Sequence, residues 1–382
     1  MRSRTHYDVT VVGAGPAGSL AATWLAAGGI ETLLVESTQF LGSRVGEFLP
    51  PRTRRVIDES GVLAAGWERD HAEAWEFVSA WGSGTTSLRN YLCDPHGHAL
   101  VLNRVAFDLS LALAAEREGA MLLTNARVLR AKRKGDRWHL IIDKNGSATR
   151  VTSSYLMLCN GRHGGRLPSL QMRQRHIDKL VCFGMRLSNQ RGDRRPLIEP
   201  YAQGWAYSVA LPTGELMLNL CTEADRGSGR RLSPSLAWLL DELASCPLTS
   251  ARLLEAEPAG TAGVEVFVVN ASSTYTRPAV GPGWCLAGDC AQSMDPLSSS
   301  GITEAVTHAH LITCEIAAAP SIDAVDLTGY RSHLDASYKA YLVARTEIYG
   351  QERRWPTPFW SRRGDVRYGL DDTIYPYNSA KK

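Results

Sequence analysis

Near the amino terminus the chain reads Gly13-Ala14-Gly15-Pro16-Ala17-Gly18, the spacing GxGxxG. In that spacing the first glycine permits a tight turn, the second lets the backbone approach a pyrophosphate, and the third lets a helix pack closely on a strand. Further along, the run ETLLVES ends in Glu36 and Ser37. An acid in that place accepts from a ribose hydroxyl of an adenosine while the helix N-terminus, with Pro16 and Ala17 in its first turn, faces the diphosphate. The chemistry implied is binding of an adenine dinucleotide, with NAD and FAD both open.

A second constellation lies in residues 281–306, GPGWCLAGDCAQSMDPLSSSGITEAV. Asp289, directly after Gly288, is placed to accept from a ribityl or ribose hydroxyl. The glycine-containing entry to the next helix offers free N–H groups and the positive end of a helix dipole. Amides near Ser299, Ser300, Gly301 and Ile302 can hold an electron-rich carbonyl edge such as the N1–C2=O edge of a flavin.

These residues need elements to hold them. YDVTVV, residues 7–12, predicts a strand, SLAATWLAAGG a helix closed by glycines, and ETLLVES a second strand. WCLAGD predicts a short buried strand and ITEAVTHAHLITCEIAAA a helix. The arrangement is α/β, with the strand, tight turn and helix of a dinucleotide fold at the amino terminus.

Composition sets the limits. With 382 residues, 44% of them hydrophobic and 21% charged, the chain can bury the core of about two ordinary domains. Forty-two Lys+Arg against 39 Asp+Glu is too close to balance to suggest nucleic acid or an anionic membrane as partner. Arg52, Arg54 and Arg55 read as a solvated helix face. No apolar run is long enough to cross a bilayer, and the glycines inside the N-terminal apolar stretch speak against a signal peptide. Eight cysteines without a CxxC pair form neither a disulfide framework nor a zinc pattern. A cytoplasmic protein without metal, monomeric or weakly dimeric, is the expectation.

Taken together, GAGPAG near the N-terminus, Arg104 before a long helix, and GD followed by DPLSSSGI resemble the FAD-dependent monooxygenases of the para-hydroxybenzoate hydroxylase superfamily. The resemblance implies a Rossmann-like, GR2-type FAD-binding domain with an inserted mixed β-sheet substrate domain, α+β overall. It implies that Arg104, in LNRVAFDLSLALAAEREGA, reaches the flavin diphosphate or ribityl region. It implies also that the backbone at Ala126 to Val128 meets the adenine, and that YLMLCNGRHG closes the dinucleotide domain, with Asn160-Gly161 where the family more often has Ala-Thr-Gly or Ala-Asp-Gly.

Within that superfamily, Gly42-Ser43-Arg44-Val45-Gly46-Glu47-Phe48-Leu49-Pro50-Pro51 resembles an element shared by flavin-dependent halogenases and by the flavoproteins that modify tryptophan in tryptophylquinone enzyme biogenesis, which serve lysine oxidase, glycine oxidase and quinohemoprotein amine dehydrogenase precursors. DPLSSSGI is similar to the second group's loop. So are GWAYSVALPTGELMLNLCTEAD, residues 204–225, and RWPTPFWSRR, residues 354–363. A halogenase implies a WxWxIP element and a lysine early in the chain, whereas this sequence has Trp205-Ala206-Tyr207-Ser208 and no lysine before Lys132.

The activity implied is hydroxylation of an aromatic ring, a tryptophan in a partner protein or precursor peptide, through a flavin C4a-hydroperoxide formed with O₂. NAD(P)H or a flavin reductase would supply electrons. A small-molecule aromatic hydroxylase, a geranylgeranyl-reductase-like flavoprotein and a non-catalytic maturation scaffold stay open beside it. Cofactor ligands on this reading include Arg44, Arg104 and Val128. Glu47, His163 and Pro296 are the catalytic candidates, and Trp205, Tyr207, Trp355 and Trp360 would line the substrate pocket by stacking. His308 and His310 read as structural. The domain expectation is 1–60, 95–165 and 275–320 for FAD, 61–94 and 166–274 for substrate, and 321–382 as a helical, aromatic tail.

Overall fold

The computed structural model describes residues 5–42, 44–162, 167–188, 192–224, 235–256, 264 and 266–365. Its helices of six residues or more, among the described residues, are α1 (Pro16–Ala27), α2 (Pro51–Ser60), α3 (Arg104–Arg117), α4 (Leu236–Leu243), α5 (Pro247–Glu255), α6 (Gly301–Ala318), α7 (Thr328–Gln351) and α8 (Pro358–Arg363). The chain divides into two units. One comprises residues 1–70, 102–175 and 274–334, and the other 71–101, 176–273 and 335–382. Residues 61–70 and 166–175 thus group with the first unit, and the C-terminal segment is shared between the two.

The first unit is built on a sheet in which His6–Val12 is central. It pairs in parallel with Ser147–Leu158 on one side and Thr32–Val35 on the other, Met121–Leu123 follows beyond Thr32–Val35, and Trp284–Leu286 joins Ser147–Leu158 in parallel. Val9, Thr10 and Val11 are all fully buried. Such a strand carries apolar or β-branched residues on both faces, as parallel sheets covered on both sides require. Helix α1 packs against both α3 and α6.

The segment from Met121 to Lys134 is broken at Asn125, whose φ of 50° lies in the left-handed region that asparagine tolerates. Before the break, Met121–Leu123 extends the parallel sheet. After it, Ala126–Lys134 turns away to pair antiparallel with Arg137–Lys144.

The second unit holds a seven-stranded sheet in the order Val266–Asn270, Leu180–Ser188, Glu215–Glu223, Gly204–Ala210, Leu197–Tyr201, Glu76–Ser79, Ser87–Asn90. All neighbours are antiparallel except Leu197–Tyr201 with Glu76–Ser79. Val181, Phe183, Met185, Leu216, Leu218 and Leu220 form a core with Leu239 and Leu243 of α4. One disulfide departs from the sequence expectation: Cys182 and Cys221, directly opposed on neighbouring strands with Cα atoms 4.1 Å apart, are joined. The partners lie 39 residues apart in sequence, so only the pairing register brings them together.

Candidate flavin site and its relatives

The glycine turn of the first unit has the geometry its spacing predicts. Gly13 holds φ +102°, and a Cβ there would stand 2.5 Å from the Cys159 carbonyl oxygen. A Cβ on Gly18 would lie 1.9 Å from the Gly13 oxygen, so helix and turn meet with no room for a side chain. Gly15 is different: a Cβ there meets nothing within 4 Å. Gly15 caps α1 without a side-chain hydrogen bond, Pro16 occupies the first helical position, and the first-turn N–H groups of Ala17 and Gly18 point out of the helix start.

Glu36, only 6% exposed, ties this turn to its neighbours. Its Oε2 accepts from the Ala14 N–H at 2.9 Å, and its Oε1 accepts from the Thr38 N–H and hydroxyl at 2.9 and 2.8 Å, with the exposed Ser37 hydroxyl at 3.4 Å. A carboxylate offers about four lone-pair sites, so Oε2 retains capacity for a sugar hydroxyl. The Ala126 N–H donates to the Glu36 carbonyl at 2.9 Å, which brings the segment with half-buried Val128 beside the same acid.

The two arginines expected at the cofactor converge on one carboxylate. Arg44 Nη1 lies 2.8 Å from Asp108 Oδ2, and Arg104 donates to both Asp108 oxygens from Nε and Nη2. Arg104 also donates to the carbonyls of Val45 and Gly46. Arg44 Nη2 sits 3.7 Å from Glu36 Oε1. Asp108, fully buried, escaped the sequence reading, although its place one helical turn after Arg104 is an i, i+4 ion-pair spacing. Glu47 is buried and its Oε2 accepts from the Gly46 N–H at 3.0 Å.

At the other end of the unit, Gly288 (φ +64°) and Asp289 form a short turn after Trp284–Leu286, and a Cβ on Gly288 would stand 3.2 Å from the Ala17 Cβ. Asp289 Oδ2 pairs with Arg162 Nε at 3.2 Å, and Arg162 Nη2 donates to the Met294 carbonyl at 2.7 Å. Arg162, four residues past the strand Ser147–Leu158, was also missed. Pro296 is exposed and opens a single turn capped by Asp295, whose Oδ1 accepts from the Leu297 N–H at 3.0 Å. Helix α6 then starts at Gly301, with Ser300 as an N-cap that makes no side-chain cap bond and Ile302 buried.

Free cysteines cluster nearby as inert thiols. Burial pushes Cys159, Cys285 and Cys290 up, Cys290 to about 12, so they remain protonated and are poor nucleophiles. His163 falls outside the described residues.

An adenine–flavin dinucleotide fits this set. Gly15 leaves open space where a side chain would fill, α1 and α6 begin without side-chain caps, and the buried Asn160 Oδ1 has no hydrogen-bond partner among the described residues. Residues 6–195 match the FAD binding domain family. The chain belongs to that family.

This flavoprotein is 27% identical over 368 residues to the putative FAD-dependent oxidoreductase LodB of Marinomonas mediterranea, covering 94% of this chain and 96% of that one. It is 26% identical to a tryptophan 2-halogenase of Chondromyces crocatus, covering 94% and 71%, and 27% identical to a digeranylgeranylglycerophospholipid reductase of Methanocaldococcus jannaschii, covering 78% and 73%. Its fold is that of the myxobacterial chondrochloren halogenase CndH (TM-score 0.82, 20% identity, 97% of this chain and 88% of that). It is also that of the peptidyl tryptophan dihydroxylase QhpG (TM-score 0.75, 22% identity, 94% and 79%). The flavoprotein is an FAD-dependent oxidoreductase of mixed α/β fold, and no helix among the described residues is long and apolar enough to cross a membrane.

The four aromatic residues expected to contact substrate all lie in the second unit. Trp205 is buried and its indole N–H donates to the Tyr349 hydroxyl at 2.9 Å; Trp360 is buried and donates to the Tyr201 carbonyl at 2.9 Å. Trp355 stacks on Trp360 with ring centres 6.2 Å apart, under the Arg354 guanidinium. Tyr207 is half-buried on the strand Gly204–Ala210.

Proposed function

We propose that this flavoprotein is a monooxygenase that hydroxylates an indole ring, a tryptophan side chain of a partner protein or precursor peptide. FAD, when bound, supplies activation of O₂ once it has been reduced by NAD(P)H or by a flavin reductase. Gly13, Gly15, Gly18, Glu36, Arg44, Arg104 and Val128 would hold the adenosine and diphosphate half. Gly288, Asp289, Ser300, Gly301 and Ile302 would hold the ribityl and ring half. The turn Pro296–Ser298 offers dipoles beside the reacting edge, and Glu47, His163 and Pro296 are the groups to test for a role in the reaction itself.

The observation that carries the reading is a coincidence in one chain. The Gly46-Glu47-Phe48-Leu49-Pro50-Pro51 element shared with the halogenases is present, while the first 131 residues hold no lysine. A chain so equipped keeps the flavin machinery without the ammonium that would handle hypohalous acid. The fold shared with a peptidyl tryptophan dihydroxylase supports a protein substrate.

A second reading has its own support in the tryptophan 2-halogenase and the lipid reductase, relatives of similar identity. Intact-mass measurement of neighbouring-gene products co-expressed with this chain separates the readings. A gain of one or two oxygen atoms on a tryptophan supports the proposal. Replacement of hydrogen by chlorine with halide present, or reduction of an isoprenoid double bond without O₂ uptake, overturns it.

A further inference from the structure

We propose that His308 is the residue that positions the Gly288–Asp289 turn for FAD, and that it does so as a neutral imidazole held in one tautomer. The ring is fully buried on α6. Its Nδ1 lies 3.0 Å from the Gly288 nitrogen. A backbone N–H only donates, so Nδ1 carries the lone pair and the ring proton sits on Nε2. Nε2 is 3.4 Å from Glu304 Oε2, one turn back on α6, and 3.4 Å from the Gln292 side-chain amide. The Glu304 carboxylate faces the proton-bearing nitrogen as a negative charge rather than as a close hydrogen-bond acceptor, and it favours the same tautomer from the far side of the ring.

What this holds in place is the junction of both halves of the cofactor site. Gly288 rests against Ala17 in the first turn of α1 and is followed directly by Asp289. One imidazole therefore registers the second motif against the glycine fingerprint. Loss of that acceptor would leave the buried Gly288 N–H unmet.

Glu304, His308 and His333 also bring their ligand atoms within 4.8 Å of one another, an arrangement that invites a metal ion. The tautomer speaks against one. A histidine that ligates a metal donates from its other ring nitrogen, and here the other nitrogen accepts. Burial, and then His308 itself, hold His333 below the ordinary imidazole range, so it adds no positive charge to the group. The titratable groups around the ring are Glu304 on α6, His333 and Tyr330 from α7, the latter edge-on at 5.4 Å, and Asp289 in the turn.

The test is FAD titration of the apoprotein, followed by quenching of flavin fluorescence, for the wild type, His308→Leu and His308→Asn. Loss of the acceptor in His308→Leu weakens FAD binding about tenfold or more at pH 8. The asparagine oxygen can accept in place of Nδ1, so His308→Asn recovers most of that loss. A folded His308→Leu that binds FAD as tightly as the wild type overturns the proposal, and so does a His308→Asn that binds it as weakly as His308→Leu. One equivalent of Zn²⁺ retained by the wild type through dialysis and lost in His308→Asn would replace it with a metal centre. Each readout is of cofactor binding, so the outcome is independent of which substrate is oxidised.

Discussion

The two units bury charge for different purposes. In the first, Glu36 and Asp108 are buried acids at the mouth of the glycine turn, and the arginines facing them are partly exposed, Arg44 at 27% and Arg104 at 12% of the side chain. In the second the arginines themselves go inside. Arg345 pairs with Asp178 at 2.6 Å with both side chains at 2% exposure or less, and Arg363 pairs with Glu223 at 2.6 Å while its guanidinium lies over the Phe359 ring at 4.1 Å. Charge half open to water can meet a ligand, whereas charge sealed on all sides is committed to architecture, since removing one partner strands the other.

The sharpest way to break that contrast is at the glycines. Gly18→Ala forces a methyl into the Gly13 carbonyl, and we expect loss of the flavin together with loss of the folded first unit, read as absorbance near the flavin band and as a thermal transition. Gly15→Ala should leave the thermal transition of the apoprotein unchanged and lower only flavin retention. If the two variants lose stability alike, the open corner is structural and not a site. Next in size comes the second unit. Arg345→Met leaves Asp178 without its cation and should cost about 3–5 kcal/mol in urea unfolding, with the flavin spectrum of the folded fraction unaltered.

The smallest effect concerns Asp193. Burial alone would raise it, but hydrogen bonds from Arg195, followed by Arg252, outweigh that and hold it down from 3.8 to about 2. A depressed carboxylate contributes stability above its unfolded value and gives it up as the pH falls through the folded one. The contribution is therefore present above about pH 4 and lost toward pH 2. The pair is partly exposed, so about 1 kcal/mol or less is expected: the urea midpoint of the wild type should drop more between pH 5 and pH 2.5 than that of Asp193→Asn.

How legible each region was in the sequence follows from the same contrast. The glycine turn, Glu36 and the GD turn are local: a few neighbouring residues specify the backbone, so spacing alone carries the information. Asp108 was one helical turn from a residue already singled out and could have been read as an i, i+4 partner of Arg104. Arg162 and His308 could not, because their contacts to Asp289 and Gly288 span 127 and 20 residues and depend on sheet order. The second unit was harder still. Glu215–Glu223 is buried at eight of its nine positions, so the alternation that marks a half-exposed strand is missing. The Cys182–Cys221 pairing depends on a register no local pattern records, and Trp205 and Trp360 have indole N–H groups already met by Tyr349 and Tyr201.

The convergence of Arg44 and Arg104 on Asp108, with Glu36 beside them, sets two cations against two anions. The corner is electrically balanced before any ligand arrives. An anionic cofactor reaching it gains little from long-range attraction and is held by the oriented N–H dipoles of the glycine turn, which act over one contact distance. Ionic strength, which weakens grips made of bare charge, should have little purchase on this one.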